Sequence, residues 1–93
     1  MITAIVLIKA DVARIPEVAQ HAADVPGVTE VYSVTGGVDL IAMVRVTAYE
    51  QLAEVISGSI NKVDGVLETD THLAFRTYSQ RDLDAGFDLG LDD

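Results

Sequence analysis

Four consecutive residues, Gly36-Gly37-Val38-Asp39, hold most of the chain's capacity for chemistry. A carboxylate just past two glycines, whose backbone can be approached closely, suits a small ligand carrying both an anionic and a cationic group. The competing reading of Asp39 is an Asx-type turn hydrogen bond at the same place. His21 and His72 have no third ligand at a recognisable spacing, so no metal is expected and both read as surface or edge histidines. Glu30 and Glu68 hold equivalent places in two halves of the chain; they have the types of a general acid and base, but repeat symmetry accounts for them structurally. There is no nucleophile–base pair and no phosphate-binding loop, and no organic cofactor is expected. The absence of cysteine excludes disulfides, thiolate metal sites and thiol chemistry.

The bulk properties narrow the partners. Ninety-three residues make one small domain whose surface stays largely wet after folding, so burial against a partner is expected. Fifteen acidic against six basic residues give a net charge of −9, which repels phosphate backbones, so direct nucleic-acid binding is not expected. No apolar run approaches the ~20 residues of a membrane span. Met1 leads straight into strand-like sequence instead of a basic, apolar signal region, and a cytoplasmic location is expected.

The elements that must position the Gly-Gly-Val-Asp segment follow from periodicity. Ile2 to Ile8 is a strand with Ile2, Ala4, Val6 and Ile8 on one face and Ile5 and Leu7 on the other, apolar on both sides. Pro16 fits the first turn of a helix and Glu17 its positive end; Ile15, Val18, Ala19, Ala22 and Val25 keep helical spacing until Pro26-Gly27 stops it. Val28 to Thr35 and Val38 to Val46 then read as a hairpin joined by the two glycines. Thr47-Ala-Tyr-Glu50 has the form of a capping box opening a second helix, with Leu52, Val55, Ile56, Ile60 and Val63 as its apolar stripe. Gly58 inside that stripe costs about 1 kcal/mol relative to alanine, which a close contact would explain. Asp64-Gly65 ends the helix, and Val66 to Tyr78 reads as a long fourth strand.

A repeat lies within this order. Val25-Pro-Gly27-Val28-Thr-Glu30 recurs thirty-eight positions on as Val63-Asp-Gly65-Val66-Leu-Glu68, and Val18 and Ala22 meet Ile56 and Ile60 at the same offset. Two βαβ halves joined by a hairpin predict an α+β, ferredoxin-like βαββαβ domain, an antiparallel four-stranded sheet with both helices on one face. Two helices cover one face only, yet strands one and three carry aliphatic residues on both. The second face is therefore expected to meet that of another copy, giving a dimeric α+β barrel. The domain is placed at residues 1–78. Residues 79–93 form an acidic tail, read either as solvated or, from Leu83, Phe87 and Leu91, as a short docking helix.

With the hairpin in place, the chain resembles the ligand-binding and oligomerisation domain of the Lrp/AsnC transcription regulators over residues 2 to 78. Three segments carry the likeness in order and at matching separations: Pro26 to Glu30, Val34-Thr-Gly-x-x-Asp-Leu40, and Gly65-Val-x-x-Thr69-x-Thr71. Gly37 and Val38 depart from the family's pattern, which has a polar and an aromatic residue there, and valine shrinks that wall of the pocket. The resemblance implies a homodimer through the sheets, a higher assembly of dimers, and a free amino acid or similar molecule bound where dimers meet. It implies Gly36, Gly37, Val38, Asp39, Thr69 and Thr71 as the ligand-binding residues: glycine N–H groups toward a carboxylate, Asp39 toward an ammonium, the threonines toward the ligand's side chain or ends. Ordinary cross-strand packing is the competing account of the threonines.

Because Met1 begins the first strand, the chain is expected to resemble stand-alone members of the family, without a helix-turn-helix of its own. The leading expectation is a non-enzymatic sensor that modulates transcription regulation or amino-acid metabolism through its assembly state, with a full-length regulator as a further partner. Two other classes compete. One is a small dimeric α+β barrel enzyme of the monooxygenase type, whose sites need aromatic and histidine residues between sheet and helices. The other is an interaction protein without a ligand, recruiting a basic partner by its acidic tail.

Overall fold

The computed structural model describes residues 1–80, so the proposed docking helix and nearly all of the acidic tail lie outside the described residues. The order is β1 (Ile2–Ala10), α1 (Ile15–Ala23), β2 (Val28–Ser33), β3 (Leu40–Val46), α2 (Gln51–Ile56) and β4 (Val66–Leu73), with 3₁₀ turns at Val12–Arg14 and Ile60–Lys62. All pairings are antiparallel and the strand order is β2-β3-β1-β4. This is the ferredoxin-like βαββαβ arrangement, with the two most apolar strands at its centre.

Alternation in those central strands builds the core. Ala4, Val6, Ile8 and Ala10 of β1 and Leu40, Ala42, Val44 and Val46 of β3 are buried under Val18, Val55 and Ile60. Each fully buried valine, leucine or isoleucine contributes about 1.5–3 kcal/mol relative to exposure. The thirty-eight-residue repeat has a physical basis in the same core. Gly27 and Gly65 both have φ of 101°, a left-handed value that lets the chain turn out of each helical segment into a strand. A Cβ on Gly27 would lie 2.8 Å from Val55, and one on Gly65 would lie 2.6 Å from Val18. Each half's turn is thus packed by the other half's helix.

Local structure departs from the sequence reading in four places. β2 stops at Ser33 instead of Thr35 and β3 starts at Leu40 instead of Val38, leaving a six-residue loop closed by the Val34 N–H donating to the Asp39 carbonyl at 3.1 Å. β2 also carries a bulge at Thr29, because Val28 pairs with Val44 but Glu30 with Met43. Val28 and Val31, on opposite faces under strict alternation, consequently both pack on the core.

The capping box is the third correction. Gln51, not Glu50, turns back, and its Oε1 accepts from the Thr47 and Ala48 N–H groups and from the Thr47 hydroxyl at 2.9–3.1 Å. Glu50 makes no side-chain cap bond. The predicted stripe does face the core, but its backbone is α-helical only through Ile56 and resumes as the 3₁₀ turn at Ile60–Lys62. The fourth correction is β4, which ends at Leu73; beyond it Phe75 and Tyr78 are exposed.

The face of the sheet away from the helices has an apolar centre. Ile5 pairs with Met43 and Leu7 with Ile41, and all four are partly exposed. Tyr32 and Glu30 flank them on β2, and Asp70 and His72 on β4.

Candidate functional site

The hairpin loop presents the predicted residues in two different ways. Gly36, with φ of 110°, requires glycine for its backbone; Gly37 does not take a positive φ. A Cβ on either would meet nothing within 4 Å, so their main chain is approachable from solvent. Val38 and Asp39 are half-buried where the loop rejoins the sheet.

Asp39 is fixed by β1. Its N–H donates to the Ile8 carbonyl at 2.9 Å, and its Oδ2 accepts from the Ala10 N–H at 2.9 Å. β3 begins only at Leu40, and the β1–β4 ladder shifts register between Lys9 and Ala10. The carboxylate therefore satisfies a backbone donor at the end of β1 that would otherwise lack a partner. The Asx-type turn reading is corrected accordingly: the bond crosses to a neighbouring strand twenty-nine residues away.

Thr69 and Thr71 share one face of β4, opposite Ile8 and Val6, on the helix-covered side of the sheet. The Thr69 hydroxyl donates to Asn61 Oδ1 at 2.8 Å, while Thr71 is exposed. Leu40 and Thr69 flank Ile8 from its two sides, so β1 stands between the hairpin residues and the threonines. A single chain brings neither group into the other's reach.

Asn61 was not singled out by the sequence. It stands in the 3₁₀ turn after the apolar stripe, and only the fold sets that turn against β4. Glu30 and Glu68 lie on opposite edge strands and cannot act as a pair within one chain. His72 Nε2 lies 3.4 Å from Asp70 Oδ2, both exposed. Among the described residues no group of three histidine, aspartate or glutamate side chains is placed to hold a metal. The Glu30 carboxylate beside Tyr32 pushes that phenol above its ordinary value, first through their hydrogen bond; desolvation and the Glu30 charge add to it, and Arg45 opposes them.

An open groove of about 310 Å³ lies elsewhere, between Pro26-Gly27, Arg45 to Thr47 at the end of β3, and Gln51, Glu54 and Val55 of α2. None of the predicted site residues lines it. No helix among the described residues is long and apolar enough to cross a membrane.

A family model described as the Lrp/AsnC ligand binding domain matches residues 3–84. The chain is 45% identical to TTHA0845 from Thermus thermophilus, whose crystal structure superposes with a TM-score of 0.81 over 86% of this chain and 100% of that one. It is 38% identical over 73 residues to the uncharacterized HTH-type transcriptional regulator PF1734 of Pyrococcus furiosus, a match covering 78% of this chain and 49% of that protein. The chain spans about half the length of the curated relatives it matches. The feast or famine regulatory protein from M. tuberculosis, solved with L-methionine, shares the fold at 24% identity, with a TM-score of 0.71 over 87% of this chain and 55% of that one. The chain belongs to the Lrp/AsnC family and carries that family's ligand-binding domain.

Proposed function

We propose that this domain binds a free amino acid, or a closely similar molecule with both charges, and reports it through the association of its copies without chemically changing it. The observation that carries the reading is the match of residues 3–84 to a ligand-binding domain. The geometry supports it in a specific way. The glycine N–H groups and Asp39 suit the two charged ends of such a ligand, but β1 keeps them from Thr69 and Thr71, so a complete pocket needs the hairpin of one copy beside the β4 of another. The L-methionine bound to the feast or famine protein belongs to the same ligand class.

The partly exposed Ile5, Leu7, Ile41 and Met43 supply the first contact, a homodimer through the sheets. A ligand held between dimers then favours the larger assembly by its differential affinity for it. A full-length Lrp/AsnC-type regulator in the cytoplasm, offering the same surfaces, is a further partner. The enzyme alternative calls for rings between sheet and helices, whereas among the described residues Tyr32, Tyr49, Phe75 and Tyr78 are all exposed and the buried core is aliphatic.

Thermal unfolding and mass photometry with each common L-amino acid test the proposal. A binding amino acid at a hundred times its Kd stabilises by about 2.7 kcal/mol and raises both Tm and assembly mass. Asp39→Asn keeps an acceptor for the Ala10 N–H but loses the charge for the ammonium, so it should fold and lose most of that response. Absence of a response to every amino acid would refute the reading.

A further inference from the structure

We propose that Asn61 and Thr69 act together as a donor–acceptor pair that completes, from the β4 of a second copy, the reading of the two charged groups that the hairpin glycines and Asp39 begin, with Asn61 adding to the selection for the carboxylate. The inference rests on the amino-acid reading above and assigns its β4 half-site. Thr69 has one hydroxyl proton, and it is given to Asn61 Oδ1 at 2.8 Å. What the hydroxyl still offers is lone pairs, which complement an ammonium and not a carboxylate. Asn61 Oδ1 is engaged by that bond, while Nδ2 carries two N–H donors on an exposed residue. Acceptor and donors thus stand side by side, the pattern that the ammonium and carboxylate on a single carbon require.

The placement is enforced by the backbone. Ile60 is fully buried and fixes the 3₁₀ turn, so Asn61 is the next residue outward; Thr69 is set by its pairing with Ile8. The Lys62 N–H donating to the Ser59 carbonyl at 3.0 Å closes the turn around Asn61. Neither side chain is part of the core, so both can be changed without opening a cavity.

The test compares the L-amino acid that most raises the wild-type Tm with the amine that lacks its carboxylate, by titration calorimetry. Wild type should prefer the amino acid. Asn61→Asp keeps the acceptor that holds the Thr69 proton but sets a carboxylate against the ligand's own, and should shift that preference toward the amine by about tenfold or more. Thr69→Val removes the acceptor and should weaken both compounds by about tenfold. The Tm of each variant without ligand reports whether its fold is retained, and a merely structural role for Asn61 would not change the preference between the two compounds. An Asn61→Asp protein with wild-type preference, or a Thr69→Val protein with wild-type affinities, overturns the pair while leaving the amino-acid reading intact. If wild type binds none of the common amino acids, both fall together.

Discussion

Asp39 shows how one side chain can be legible in kind and illegible in detail. Its position after two glycines marks it as special, but its partner, the Ala10 N–H, is fixed only by where β1 and β3 stop running side by side. Removing the carboxylate leaves a half-buried backbone donor without a partner. Asp39→Ala should therefore lower stability by about 1–3 kcal/mol in urea unfolding, and Asp39→Asn by clearly less. Equal losses for the two variants would mean that the charge, and not the hydrogen bond, is what matters. The two glycines divide in the same manner: Gly36 is demanded by its left-handed φ, whereas the need for glycine at 37 is not one of backbone geometry. Asn61 was invisible because its significance is its contact with Thr69, and nothing in the residues from 61 to 69 announces that the turn folds onto the strand.

At the scale of elements, strand and helix identity followed from periodicity, while boundaries followed from contacts that periodicity does not contain. The bulge at Thr29 is an example: its hydroxyl donates to the Met43 carbonyl at 3.2 Å, and the extra residue brings Val28 and Val31 to the same core. The second helix is another. It ends where the Gly58 N–H donates to the Ala53 carbonyl at 2.9 Å, five residues back, and a Cβ at that glycine would lie 2.7 Å from the Glu54 carbonyl oxygen. Helix propensity alone would favour alanine there by about 1 kcal/mol. Gly58→Ala should instead lower the Tm, because the backbone oxygen cannot move aside without undoing the turn that leads to Ile60. A rise in Tm would show that the close approach relaxes at little cost.

For the molecule as a whole, the sheet topology and the apolar centre of its second face were readable from β1 and β3, the two strands with aliphatic residues on both sides, whereas the polar edges of that face, Glu30 on β2 and Asp70 and His72 on β4, follow only from the register. Met43 lies at the centre of that face, paired with Ile5 and flanked by Glu30. Met43→Glu should leave the helix-side core intact and convert the proposed sheet-to-sheet dimer into monomers by analytical ultracentrifugation, since it sets a carboxylate to be desolvated in that contact directly opposite Glu30. An unchanged mass would place the association elsewhere. The reciprocal seating of Val18 on Gly65 and Val55 on Gly27 has a consequence of its own. Each half supplies the tooth for the other's notch, so a chain cut in the hairpin would yield two fragments shaped only for one another, and loosening either would be felt at once in both.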